Sequence, residues 1–176
     1  MLYLLRHGQT DANLNRINAG GEWDVPLNAA GRAQARDFAE ANEDLLQQFS
    51  HIYVSPMVRA QETAVIVMET AGLKLPSETI EDLREWRLGE WSQLSYDDTA
   101  DFYGQLLTPP DGESFAAFSA RVIVALKTLA HRTDEKALVI AHGGVWRCYA
   151  HHVNESAIWL ENCTPMQLCR VTLQAA

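Results

Sequence analysis

The sequence predicts an α/β fold built on a largely parallel central sheet with helices on both faces. Two observations carry this. Short β-rich runs recur at residues 2–5 (LYLL), 51–55 (HIYVS) and 137–141 (ALVIA), and each is followed by a turn signal and then a helical pattern. Strand-then-helix units in series need crossover connections, which set parallel strands side by side and cover both sheet faces. The 176 residues fit one domain with a sizeable core, and no repeat, low-complexity tract or linker divides residues 1–176.

The elements follow in order. The first run ends on Arg6, His7 and Gly8. Asn28 is a good N-cap for a helix expected to run to about Phe49, with Phe38, Leu45 and Phe49 as its apolar face. A second helix is expected over 60–71, stopped by Gly72. The region 77–112 is less regular, with a helix expected around 96–107, and Pro109, Pro110 and Asp111-Gly112 break it near its end. A third helix starts at about Ser114 and continues to about His131. After ALVIA and HGG the chain reads helical through His152, and residues 164–174 alternate enough to form a final strand.

Composition excludes several classes. Hydrophobic residues at 47% and charged residues at 21% are ordinary for a soluble globular chain, and the net charge of -9 repels a nucleic-acid backbone. Cys148, Cys163 and Cys169 are odd in number with no CxxC spacing, so neither a disulfide framework nor a zinc site is indicated. No run approaches the ~20 apolar residues of a membrane span, and residues 2–5 are too short for a signal-peptide core. The expectation is a cytoplasmic protein with no membrane or nucleic-acid partner, no metal and no cofactor; oligomeric state leaves no signal. His151 and His152 are adjacent and cannot share a helix face. Cys148 reads as core, Trp23, Trp146 and Trp159 as core or pocket wall, and the acidic runs 40–44 and 96–101 as solvated faces.

The chemistry lies just past the strands. Arg6 and His7 follow the first, Arg59 the second, His142 and Gly143 the third. Each alone is explained as a turn residue or a solvated charge. In a parallel sheet, however, these carboxyl ends share one edge, so the side chains converge on one crevice. Two arginines match phosphate oxygens with forked donors, and in an acidic chain the cluster is a focused site for a phosphomonoester. Nearby arginines disfavour an imidazolium, leaving a neutral nucleophile able to form a phosphohistidine. The arginines and the second histidine then stabilise the transferring group without a metal. An acid for the leaving oxygen is best sought at Glu85 in LREWRLGEW, where Trp86, Leu88 and Trp91 can desolvate it. Glu113 in DGES is the alternative, with helix initiation as its plain explanation.

These segments resemble the histidine phosphatase superfamily, the phosphoglycerate mutase-like proteins. RHG at 6–8 comes with Thr10 and Asn13, and DVPLNAAGRAQA at 24–35 is similar to the family's D.PL...G..QA. SPMVRAQETA at 55–64 is similar to its SP..RA..TA. LREWRLGEW, DGES and VIAHGG match its acidic loop, its GES and its second histidine motif, in the family's order. The resemblance implies a three-layer α/β/α sandwich in which His7 is phosphorylated and Arg6, Arg59 and His142 bind the phosphoryl group. It implies further donors from Asn13 and the backbone N–H of Gly143, and Glu85 as proton donor and then activator of the hydrolytic water. Gln9 replaces the commoner glutamate, and WSQ at 91–93 stands where many members have WEG. INAGGEW at 17–23 is longer than the usual spacing, and the stretch 89–112 is short for a mutase.

The expected function is therefore a metal-independent phosphatase acting on a small organic phosphomonoester. GESFAAFSARV at 112–122 leans toward the alpha-ribazole phosphatase-like branch. The alternatives are phosphoglycerate mutase-type transfer, dephosphorylation of a protein phosphohistidine, and a non-catalytic phosphate-ligand-binding protein.

Overall fold

The computed structural model describes residues 1–132, 134–155 and 160–168, with the backbone alone at 101–103. Five strands, β1 (Leu2–Arg6), β2 (Phe49–Val54), β3 (Ser77–Thr79), β4 (Lys136–Ala141) and β5 (Pro165–Gln167), form one sheet in the order β3-β2-β4-β1-β5. The first four are parallel, and β5 closes one edge antiparallel to β1.

Strands buried on both faces need apolar residues at nearly every position, which is why LYLL and ALVIA lack polar alternation. Leu2, Leu4, Ala137, Val139 and Ala141 point into one core, and Leu5, Leu138, Ile140, Ile52 and Val54 into the other. Helices α6 (Phe115–Arg132) and α7 (Gly143–His152) fill the first through Phe118, Val122, Leu126 and Val145. Helices α2 (Ala29–Ala41) and α4 (Val58–Thr70) fill the second through Ala35, Phe38, Ala64 and Val67. The result is the three-layer α/β/α sandwich.

Two short helices, α1 (Asp11–Leu14) and α3 (Glu43–Leu46), and α5 (Tyr96–Gly104) lie in the connections. The Asn28 side chain accepts from Gly31 N at 2.8 Å, as an N-cap should. The helix it starts does not reach Phe49. It stops at Asn42, whose side chain donates to Phe38 O at 2.8 Å, and Phe49 instead opens β2, paired with Lys136 and packed edge-on against Tyr3. Burial against the sheet overrides the helical periodicity there. Gly72, at φ +61°, follows the end of α4 as expected. α5 ends before Leu107, and β3, not expected, has three exposed residues with no apolar pattern. Only 165–167 of the anticipated last strand pair with β1; residues 169–174 lie outside the described residues. Among the described residues no helix is long and apolar enough to cross a membrane.

Candidate active site

The carboxyl ends of β1, β2 and β4 share one edge. Arg6 is the last residue of β1 and pairs with Ala141, and His7 N donates to Ala141 O at 3.0 Å, fixing the turn beside the exit of β4. His142 is the N-cap of α7. Arg59 reaches the same place from the first turn of α4 rather than from the strand itself. The rings of His7 and His142 meet edge to face, 5.2 Å apart. Above them opens a cavity of about 1060 Å³, lined among others by Arg6, His7, Asn13, Arg59, Glu85 and Gly143. His142 is fully buried, with its ring against that of His7 at the base of the site.

The His7 tautomer follows from its partner. Nδ1 lies 2.7 Å from Gly8 O, a group that only accepts, so Nδ1 carries the proton and Nε2 keeps its lone pair. Arg59 Nε donates to that lone pair at 3.2 Å. Burial, and then the charges of Arg59 and Arg6, hold the His7 pKa well below the ordinary imidazole value. The sequence argument credited the arginines alone; desolvation is the larger cause. His142 is depressed in the same way, by burial first and then by Arg59.

Ser55 orients His142. Its Oγ lies 2.7 Å from His142 Nε2 and accepts from Met57 N at 3.3 Å; Nε2 is the one partner able to accept among the described side-chain partners of Oγ, which assigns the hydroxyl proton to Nε2. The imidazole proton then sits on Nδ1, which is buried with no hydrogen-bond partner among the described residues. A buried donor in that condition calls for an acceptor.

Arg6 Nη1 donates to Leu160 O at 2.6 Å. Arg59 Nη2 donates to Gly20 O at 3.0 Å and Nη1 to Trp23 O at 3.4 Å. Asn13 sits in α1, where its side chain and that of Thr10 form a reciprocal capping box. Its amide nitrogen donates to Tyr96 Oη at 3.3 Å on the cavity wall. Gly143 opens α7 against Arg6, with room for a Cβ 3.7 Å from Arg6 Nε, so its backbone borders the cavity without obstruction.

The two candidate acids separate. Glu85 lines the cavity, its Oε1 accepting from Trp86 N at 2.9 Å and its Oε2 from Gly144 N at 3.1 Å, in the first turn of α7. Gly144 has no Cβ because one would collide with that carboxylate. Glu113 is outside the cavity lining and forms a forked pair with Arg121, at 2.8 Å to Nε and 2.9 Å to Nη2. Arg121 in turn donates to Arg84 O at 2.8 Å and Glu85 O at 3.2 Å, so Glu113 braces the back of the segment that presents Glu85. Trp86, Leu88 and Trp91 are buried.

Sequence reasoning missed several members of the site. Ser55 stood in a quoted motif at a strand exit, the same placement that marked His7 and His142. Asn162, whose Nδ2 donates to His7 O at 2.7 Å, is remote in sequence and carried no signal. Tyr96 was assigned to a solvated acidic run, yet it lines the cavity. Gly20 and Trp23 act through carbonyls, which no side-chain pattern announces.

Comparison with known proteins agrees with this arrangement. The family model of the histidine phosphatase superfamily (branch 1) matches residues 2–175. The chain is 32% identical over 157 residues to the adenosylcobalamin/alpha-ribazole phosphatase of Escherichia coli, covering 82% of this chain and 74% of that protein. It is also 32% identical over 161 residues to a 2,3-bisphosphoglycerate-dependent phosphoglycerate mutase of Methylobacterium sp., covering 84% and 77%. The mycobacterial glucosyl-3-phosphoglycerate phosphatase structure superposes with a TM-score of 0.76 at 28% identity, over 93% of this chain and 87% of that one. With nearly the whole sequence matched and the fold shared, the chain belongs to the histidine phosphatase superfamily.

Proposed function

We propose that the protein is a cytoplasmic, metal-independent phosphomonoesterase that hydrolyses a small organic phosphate through a phosphohistidine on His7. The observation that carries this reading is the tautomer of His7: with Nδ1–H bound to Gly8 O, the Nε2 lone pair is held toward Arg59 at the base of the cavity.

In the resting state the Arg59 Nε–H caps the nucleophile. A dianionic phosphoryl group draws that donor, together with Arg6, Asn13, the Gly143 N–H and His142 Nδ1–H, onto its oxygens, and the lone pair becomes free to attack. As the Nε2–P bond forms, the ester P–O bond breaks and Glu85 gives its proton to the leaving oxygen. Water then attacks the phosphohistidine and passes a proton to the Glu85 carboxylate, the N–P bond breaks, and phosphate departs.

Mutase-type transfer uses the same intermediate but also needs a second anionic group to be held. Among the described cavity-lining residues outside the phosphate pocket, the cations are Arg16 and Arg147. Arg16 is paired with Asp97 at 2.7 Å, while Glu155 and Glu161 share the wall. This balance supports hydrolysis of an ester whose alcohol carries no further phosphate. The test is turnover of p-nitrophenyl phosphate at mildly acidic and neutral pH, beside phosphoglycerate isomerisation. Phosphate release abolished by His7→Ala is expected. Absence of turnover, or undiminished turnover by His7→Ala, sinks the catalytic reading, and efficient isomerisation replaces it with the mutase.

A further inference from the structure

The stretch 17–23, INAGGEW, has no part in the scheme above, yet it bonds to both halves of the site. Toward α4, the carbonyls of Gly20 and Trp23 receive the Arg59 guanidinium. Toward the segment that carries Glu85, Gly21 N donates to Trp86 O at 2.8 Å and Gly21 O accepts from Arg84 Nη1 at 3.3 Å. The Glu22 carboxylate completes the clasp: Oε2 accepts from Leu88 N at 3.0 Å and Oε1 from Gly89 N at 3.2 Å. Those two N–H groups open a short 3-10 turn, Gly89–Trp91, where backbone donors lack partners within the turn. A carboxylate is a strong acceptor for them. The approach is close: a Cβ on Gly21 would stand 2.5 Å from Glu85 O, and Gly20 takes φ +60° to make the bend.

We infer that Glu22 is a positioning residue for Glu85. Its grip on Leu88 and Gly89, three and four residues beyond Glu85, fixes the span between the guanidinium that holds the phosphoryl group and the carboxyl that protonates the leaving oxygen. Among the described residues, Glu85 itself is tethered through Trp86 N and Gly144 N at its carboxylate and through Arg121 behind its carbonyl. From the side of Arg59, Glu22 adds a side-chain restraint to the backbone bond between Gly21 and Trp86. The inference rests on the reading of Glu85 as proton donor. A tie that served stability alone would slow all substrates alike, whereas in the step that phosphorylates His7 a tie that places the acid matters only where the leaving oxygen needs a proton.

The test compares kcat/KM, which covers the steps up to departure of the alcohol and leaves out the later attack of water, for p-nitrophenyl phosphate, whose leaving group departs unprotonated, with kcat/KM for glycerol 2-phosphate, whose alkoxide must be protonated. Glu22→Ala is expected to lower the alkyl ester rate by about tenfold and the aryl ester rate by less than about twofold. Glu22→Gln, which keeps one acceptor oxygen, falls between. Glu85→Gln shows the same selectivity more strongly, and adding Glu22→Ala to it causes no further loss. Urea unfolding of each variant verifies the fold. Equal losses on both esters in Glu22→Ala, or no loss, beside a selective Glu85→Gln, overturn the inference alone. Equal losses in Glu85→Gln overturn the donor reading and the inference with it.

Discussion

Removing one buried hydroxyl, in Ser55→Ala, tests the description of the second histidine. Ser55 is fully buried and its Oγ serves two partners, His142 Nε2 at 2.7 Å and Met57 N at 3.3 Å. Alanine leaves both without that partner. An orphaned buried group costs about 1–3 kcal/mol, and the longer Met57 bond contributes the lesser share, so the variant should lose about 2–4 kcal/mol of stability. The effect on rate has a different origin. With Ser55 donating to Nε2, the imidazole must keep its proton on Nδ1; without it, the tautomer that presents a lone pair to the phosphoryl group becomes accessible. Losing one donor to a developing charge costs at most about 10²–10³ in kcat, and a proton no longer fixed but still available to Nδ1 places the expected loss at about 10- to 100-fold. Kinetics on p-nitrophenyl phosphate and nitrogen NMR of the His142 ring measure the two effects. A wild-type spectrum with the proton on Nε2, or a Ser55→Ala enzyme with unchanged kcat, refutes the reasoning.

Three further outcomes are expected. Gly144→Ala drives a methyl group into the Glu85 carboxylate, a side chain that can swing away, so stability should change little. The kcat/KM for alkyl phosphates should fall about tenfold or more while that for p-nitrophenyl phosphate is spared; a uniform loss in kcat/KM speaks against the position assigned to Glu85. Arg59→Lys exchanges a guanidinium that bonds His7 Nε2, Gly20 O and Trp23 O for a single ammonium, and kcat/KM on aryl phosphates should drop by about 100-fold. The histidines also set an acid dependence of stability, because burial and the neighbouring arginines hold both native pKa values well below the ordinary imidazole value of about 6.5. Above about pH 6.5 the rings are neutral in both states and stability is full. As pH falls through that value, the unfolded chain binds protons that the native pocket refuses, so stability is lost until the depressed native values are reached. The limiting slope is about 1.4 kcal/mol per pH unit per histidine. His142→Gln should therefore flatten the stability curve between pH 7 and pH 5 by one such slope in urea unfolding, and curves parallel to wild type contradict the assignment.

What could be read beforehand divides by how each residue acts. Arg6, His7 and His142 were legible because side chains of distinctive chemistry stand directly after apolar runs, and a parallel sheet brings such positions together. Phe49 was misplaced into a helix because its apolar spacing from Phe38 and Leu45 fits a helix face as well as it fits re-entry into the sheet, and only the pairing with Lys136 decides. β3 left no trace since Ser77, Glu78 and Thr79 are exposed and join the sheet through backbone groups. Glu85 was preferred to Glu113 on its sequence neighbours Trp86, Leu88 and Trp91, but the pairing that separates the two acids was not legible there. Arg121, eight residues past Glu113 and on α6, pairs with Glu113, while Glu85 faces the cavity. The loop 17–23 was opaque for the same reason as β3: most of its bonds are made by carbonyl and amide groups common to every residue type.

The floor of the cavity sets a kinetic condition. Two guanidinium groups beside two neutral imidazoles form a charge arrangement that matches a phosphate dianion, whether the phosphorus bears an ester or a hydroxyl. Inorganic phosphate is therefore held by the same contacts as the substrate's reacting group, and discrimination between them falls to the alcohol and the outer wall. Arg6, His7 and Arg59 are no more than 4% exposed, so the groups that would hold phosphate are deeply set. On the proposed reading, product inhibition and turnover paced by the departure of phosphate on good leaving groups follow from the way β1, β4 and α4 end.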